Sequence, residues 1–319
     1  MNTLNFYGAN PSIAIKNIVR RKNERLNLKN PKNGIKTALI VQGGSMRGIF
    51  SAGALIALEK MGFSEGFDSV YASSGGALNV SYFLSKQAPF GTSIYYENIN
   101  NSKFINVLRI KKIVGINYLF KEIIGKAKPL EIKALINSKT NSYFFATDNE
   151  TGKHVRFTPY SKNFLEMLKA SCAMPFYYDK TVSIDGKNYS DGGVSIAIPI
   201  EEAIRDGCTD ILVLLTQSVK SRNSLGSLER FAHRLVMPEL RDFIDVYLEK
   251  YKHSFDISIG KAKTKDNVNI ASIIPDDNLN LNRLSRNQRL LKNAAIQGTN
   301  KLFELFNKKY KINNILSYN

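Results

Sequence analysis

The chain predicts an α/β fold: a mainly parallel central sheet covered by helices on both faces, followed by a helical C-terminal region. Three observations predict it. Short, continuous apolar runs, Ala38-Leu39-Ile40-Val41 and Asp210-Ile211-Leu212-Val213-Leu214-Leu215 among them, have the length of strands buried on both faces. These runs alternate with segments whose apolar residues recur at helical spacing, as in Gly48 to Lys60, which is the order of β–α–β units. Glycines cluster where such segments meet, in Gly43-Gly44-Ser45-Met46-Arg47-Gly48, Ala72-Ser73-Ser74-Gly75-Gly76 and Asp191-Gly192-Gly193.

Taken in order, residues 1–36 read as a basic, partly helical N-terminal arm ending in the turn Asn30-Pro31-Lys32-Asn33-Gly34. Residues 37–216 form the core. It opens with strand, tight loop and helix through Gly48, and repeats that pattern with a strand at Asp68–Ala72 and a helix at Gly75–Leu84. Residues 86–140 are insertion-like; their apolar stretch from Ile110 to Ile124 reads as core packing, with covering the site or touching lipid as the alternative. Tyr143–Thr147 and Val155–Phe157 flank an Asn149-Glu150-Thr151-Gly152 turn and predict a hairpin. A second hairpin runs through Thr181–Ile184 and Lys187–Tyr189 around Asp185-Gly186, which places Asp191 on the loop after it. Pro199 suits a helix start, and Asp210–Leu215 is a buried strand. Residues 217–319 are expected to be mainly helical and packed on the core, interrupted by a strand-like Val268–Ile274. There is no internal repeat.

The three glycine clusters carry the chemistry. A glycine turn between strand and helix points backbone amides at a helix N-terminus, where they stabilise negative charge. The first cluster lacks the Gly-Lys-Ser/Thr ending of a phosphate-binding loop and the second glycine of a dinucleotide fingerprint, because Ser45 stands there. In the second, Ser74 sits on a strand-to-helix bend with small residues, Ala72 and Gly76, two positions either side, which allows the close packing of a nucleophile elbow. Ser73 has Tyr71 two residues before it, which would crowd such a bend. The competing reading of Ser74 is a helix cap. Asp191 offers a carboxylate base, against the plainer reading of Asp-Gly-Gly as one more turn. Donors, nucleophile and base in this order form the parts of an acyl-transfer site.

The chain resembles the bacterial branch of the patatin-like phospholipase family. The elements that carry the resemblance are Gly-Gly-Ser-Met-Arg-Gly at 43–48, Ser-Ser-Gly-Gly-Ala-Leu-Asn at 73–79, Ala-Ser-Cys-Ala-Met-Pro-Phe at 170–176 and Tyr-Ser-Asp-Gly-Gly-Val at 189–194, within a span from about residue 37 to about residue 216. What the resemblance implies is a single catalytic domain with a serine–aspartate dyad and no histidine. Ser74 is then the nucleophile and Asp191 its base, with Gly192 and Gly193 completing the Asp-Gly-Gly motif. It further implies an oxyanion hole from the amides of Gly43, Gly44 and Ser45, with Arg47 at the family's basic position. The family pattern has glycine where Ser45 and Ala72 stand here; a positive φ at Ser45 would cost about 1–3 kcal/mol.

The implied activity is hydrolysis of carboxylic esters of membrane lipids, of phospholipase A or lysophospholipase type, through an acyl-enzyme on Ser74. A free aspartate, with a pKa near 3.9, is a feeble base, so Asp191 must be desolvated to work. Two further classes stay open: a membrane-binding relative with little or no activity, and a lipid acyltransferase. Within hydrolases the alternative is a triad of Ser74, Asp191 and His233 or His253; these and His154 are the chain's three histidines, and none lies in a recognisable motif.

Composition bounds the partners. The two cysteines, Cys172 and Cys208, form neither a disulfide framework nor a metal spacing, and no cofactor or metal is expected. The net charge of +18 is concentrated: +7 in residues 1–36, +6 in 101–133 and +8 in 220–319. Such charge suits an anionic membrane surface, at up to about 1 kcal/mol per basic residue near it, or is simply a solvated basic surface. No nucleic-acid motif accompanies it. With no apolar run long enough to span a bilayer and no secretory h-region, the expected location is cytoplasmic, peripheral to membranes.

Overall fold

Strand β1 (Thr37–Val41) lies between β2 (Ser69–Ser73) and β7 (Asp210–Leu214), parallel to both, and all three are buried at every position. Burial on both faces explains why these strands read as continuous apolar runs. The computed structural model describes residues 7–27, 34–109, 112–175, 177–178, 181–220, 241–264 and 268–306. His233, Phe176, Ile110 and the Asn30–Asn33 part of the predicted turn lie outside them.

Among the described residues the sheet has eight strands in the order β5-β6-β3-β2-β1-β7-β8, with β4 also on β3. Strand β3 (Asn141–Asp148) and strand β8 (Asn269–Ile273) extend the parallel set on either side. The two predicted hairpins supply the antiparallel part. β4 (His154–Phe157) folds back on β3, and β5 (Val182–Ile184) pairs with β6 (Lys187–Asp191), which itself pairs with β3. Strand alternation divides the core in two. Leu39, Val41, Val70, Ala72, Leu212 and Leu214 face one cluster; Ala38, Ile40, Tyr71, Ile211 and Val213 face the other.

The first cluster is covered by α1 (Pro11–Leu26), α2 (Gly48–Lys60) and α3 (Gly75–Leu84). It continues under the 86–140 segment, which contains α4 (Ala88–Ser93), α5 (Ile116–Tyr118) and α6 (Ile132–Ile136), and under α7 (Phe164–Cys172). α4 and α5 run on into π-helical turns at Ile94–Asn98 and Leu119–Ala127. The second cluster is covered by α8 (Ile200–Arg205) and α9 (Arg241–Ser258), through Ile200, Ala203, Tyr251 and Phe255. The last helix, α10 (Gln288–Leu305), crosses α2 so closely that a Cβ at Gly53 would fall on the Ala295 carbonyl oxygen and one at Gly298 on that of Phe50. α2 is buried all round from Gly48 to Leu58, which makes the helix its spacing predicted a central one.

The helix within the N-terminal arm is docked on the sheet. α1 runs beneath the parallel strands at their N-terminal ends: Asn10 Nδ2 donates to Asn269 Oδ1 (3.3 Å), Asn17 Nδ2 to Asp210 Oδ1 (2.8 Å) and Arg25 Nη2 to the Lys139 carbonyl (2.7 Å). Arg21 pairs with the buried Asp68 at 2.6 Å, and Asp68 also accepts from the Thr37 amide (2.9 Å). These contacts hold the Asp68 carboxyl below its ordinary range against the opposing effect of burial. The C-terminal region likewise shares the sheet, through β8. With α1 closing one end, the carboxyl ends of the parallel strands are left to carry the site, as in open α/β sheets generally.

Candidate active site

Sheet register brings the site together. Ser73 on β2 is level with Phe145 on β3, and Ala146, the next residue of β3, is level with Asp191 on β6. Ser74 therefore emerges beside Asp191. Asp191 is the last residue of β6 and not, as expected, on a loop; the turn begins at Gly192. Polar Ser190 and Asp191 conceal this strand end in the sequence, because what they pair with is β3 inside the site.

Ser74 adopts φ 55° and ψ −141°, a sparsely populated conformation for a residue with a side chain. Its hydroxyl makes no capping bond to α3, which sets aside the capping reading; it donates instead to Asp191 Oδ2 at 2.7 Å. The strained bend is held from both sides. The Ser74 amide donates to Ser171 Oγ (2.9 Å), which donates in turn to the Phe145 carbonyl (2.6 Å), and a Cβ at Gly76 would strike the Val41 carbonyl oxygen. Ala72 is wholly buried and its methyl is accommodated. Ser73 Oγ is buried with no partner among the described residues.

Asp191 is fully buried. Its Oδ1 accepts from the Gly193 amide at 2.7 Å, its own amide donates to the Ala173 carbonyl (3.0 Å), and Thr147 Oγ1 donates to its carbonyl (2.8 Å). Burial raises the Asp191 carboxyl to a pKa of about 6, against the hydrogen bonds from Ser74 and Gly193 and the charge of Arg283, which pull it down. The carboxyl is thus desolvated, as a base at this position would need to be.

The glycine loop leans on the elbow, since a Cβ at Gly43 would lie 2.7 Å from that of Ser74. Gln42 and Thr216 stake it to the end of β7: the Thr216 amide donates to Gln42 Oε1 (2.7 Å) and Thr216 Oγ1 to the Gly43 carbonyl (2.6 Å). Gly44 has φ 142°, which glycine alone adopts readily. Ser45 has φ 52°, so the serine in place of glycine does carry the left-handed strain, about 1–2 kcal/mol. Met46 N donates to the Arg283 carbonyl and Arg47 N to that of Gly44, whereas the amides of Gly43, Gly44 and Ser45 donate to no protein acceptor among the described residues. The Arg47 side chain is buried against this loop.

Ser45, Ser74 and Asp191 line one partly open pocket. The rest of its wall is mostly apolar, including Leu78, Ile94, Phe104, Val114, Ile116, Leu119, Met174 and Tyr178. The 86–140 segment thus does both things its apolar stretch allowed: Val114, Ile116 and Leu119 are buried in the main core and line the pocket. Cys172 also lines it, its thiol kept neutral by burial and by the adjacent Asp191. Both cysteines are free and buried. His154 and His253 lie 3.5 Å from Glu202 and Glu201, so the histidines described pair with α8 and not with Ser74 or Asp191. Among the described residues no group of acidic, histidine or cysteine side chains is arranged to hold a metal ion, and no helix is long and apolar enough to cross a membrane.

A model of the patatin-like phospholipase family matches residues 39–204, more than half of the 319. The chain belongs to the patatin-like phospholipase family. All four segments that carried the resemblance fall within the match, so the family reading is borne out, as is the mainly parallel α/β fold. Uncharacterized protein YjjU of Escherichia coli (strain K12) is 32% identical over 187 residues, 57% of this chain and 52% of that protein. The chain thus spans about half the length of this curated relative. Among solved structures, VipD from Legionella pneumophila is similar with a TM-score of 0.43 at 13% identity, over 86% of this chain and 66% of that one. Human GIVD cytosolic phospholipase A2, in complex with methyl γ-linolenyl fluorophosphonate, is similar with a TM-score of 0.31 at 11% identity, over 70% of this chain and 48% of that one. In this patatin-like chain, sequence reasoning missed Arg283, Gln42 and Thr216. Arg283 sits in a segment with no motif, 92 residues beyond Asp191.

Proposed function

We propose that this chain is a lipid acyl hydrolase of phospholipase A or lysophospholipase type, acting through Ser74 and Asp191 at a membrane surface. The observation that carries the reading is the 2.7 Å hydrogen bond from Ser74 Oγ to a carboxylate raised to about pKa 6, at the side of an apolar pocket. Ser74 Oγ bonds to the ester carbonyl carbon as its proton passes to Asp191, and the resulting oxyanion is held by the amides of Gly43, Gly44 and Ser45. Collapse breaks the ester C–O bond, and the proton on Asp191 goes to the leaving alcohol. A water then gives its proton to Asp191 and its oxygen to the acyl carbon; the fatty acid departs and Ser74 recovers its proton. The acyl chain occupies the apolar pocket, and the basic surface attracts anionic lipid.

Fatty acid release from mixed anionic and zwitterionic phospholipid vesicles tests this. Ser74→Ala and Asp191→Ala, each folded by circular dichroism, are expected to fall at least about a thousandfold below the parent. A folded Ser74→Ala protein that hydrolyses as the parent does would overturn the proposal.

A further inference from the structure

Residues 104–109 and 112–114 make the two described sides of a short, pinned finger. Its base is an antiparallel bridge between Ile105 and Val114, flanked by bonds from the Gly115 amide to the Phe104 carbonyl (2.7 Å) and from the Asn106 amide to that of Ile113 (2.9 Å). Asn106 organises the tip: its Oδ1 accepts from the Leu108 amide (3.0 Å) and its carbonyl from the Arg109 amide (3.1 Å). The Arg109 guanidinium folds inward, with Nη2 donating to the carbonyls of Ser102 (2.9 Å) and Lys103 (3.1 Å). A further bond from the Val114 amide to the Tyr177 carbonyl (2.8 Å) ties the base to the segment after α7.

This hydrogen bonding holds two aliphatic side chains in water. Leu108 is 87% exposed and Val107 64%, while Phe104 and Val114 at the base line the acyl pocket. Val107 is three positions along the chain from Phe104, at most about 11 Å. Exposed Lys103 and Lys112 flank the tip, within a stretch, 101–133, that carries +6. An apolar tip with a basic collar is the arrangement that enters the boundary between anionic headgroups and acyl chains.

We infer that Val107 and Leu108 are a lipid anchor that inserts into the acyl layer of an anionic bilayer and seats the pocket against the surface from which an acyl chain is drawn. The inference deepens the hydrolase reading and rests on it for the pocket's occupant, but insertion is measured without turnover. In a Ser74→Ala background, co-sedimentation with vesicles of phosphatidylglycerol and phosphatidylcholine is compared with and without Val107→Asp and Leu108→Asp together. The double aspartate change is expected to lower binding by about tenfold or more. In the active enzyme it should leave hydrolysis of water-soluble p-nitrophenyl butyrate unchanged. The milder pair Val107→Ser and Leu108→Ser should act in the same direction. Unchanged vesicle binding, or an equal loss on the soluble ester, overturns the anchor. So does a parent that ignores vesicles and self-associates through this tip. A parent inert toward both substrates would refute the hydrolase reading, while sedimentation would still decide the anchor.

Discussion

Asp191 is held in the fold at a cost, and that cost is measurable. Its folded pKa, pushed up to about 6 from the ordinary 3.8, stands there because burial outweighs the bonds from Ser74 and Gly193. The folded chain therefore binds more protons than the unfolded one between those two values. By linkage, stability falls as pH rises through that window, and the full penalty, about 3 kcal/mol, is present above it. Asp191→Asn keeps an acceptor for Gly193 and a partner for Ser74 without the charge. It is expected to be inactive yet more stable than the parent by up to about 3 kcal/mol at pH 7.5, with the difference vanishing below about pH 4; urea unfolding at several pH values checks both limits. A destabilised Asn variant at neutral pH would show that the bonds to the ionised carboxylate outweigh its burial. The meeting of Ser74 with Asp191 was legible because glycine and small-residue spacing encodes the backbone their geometry needs. Arg283, whose charge acts on the same carboxylate, was not, since only the fold brings it there.

At the level of elements, α2 and α10 cross at backbone contact. Thr299 Oγ1 donates to the Gly53 carbonyl at 2.7 Å, and Gly53 and Gly298 each face the other helix's backbone, at Ala295 and Phe50, without room for a methyl. Gly298→Ala is expected to force the helices apart and destabilise the fold by about 1–3 kcal/mol or more, read as a lower midpoint of thermal unfolding. An unchanged midpoint would mean that α10 can shift without loss. The hairpins were legible, because Asp185-Gly186 and Asn149-Glu150-Thr151-Gly152 are turn sequences between strand-like runs. The end of β6 was not, and neither was the all-round burial of α2. Periodicity reports which residues are apolar, and a helix this rich in alanine and glycine gives no contrast between its faces.

At the scale of the whole molecule, the described parts of two basic stretches, 1–36 and 101–133, lie at opposite ends of the sheet. α1 lies beneath the N-terminal ends of the strands, where Arg21 and Arg25 are engaged by Asp68, while the 101–133 stretch walls the pocket at their carboxyl ends. Composition revealed the charge but not this division, which only the docking of α1 creates. Exposed charges more than a Debye length of about 8–10 Å from a surface are screened from it. A strand of five residues already spans about 16 Å, so the N-terminal basic residues are expected to contribute little once the pocket faces lipid. Hydrolysis of anionic vesicles should therefore fall steeply with added salt, while that of a soluble ester stays flat. Lys16→Gln with Arg20→Gln should leave the slope of log rate against log salt as it is in the parent, although it removes two positive charges. If that double change flattened the slope, lipid would be meeting the chain from the α1 end, and the carboxyl-end orientation would be wrong.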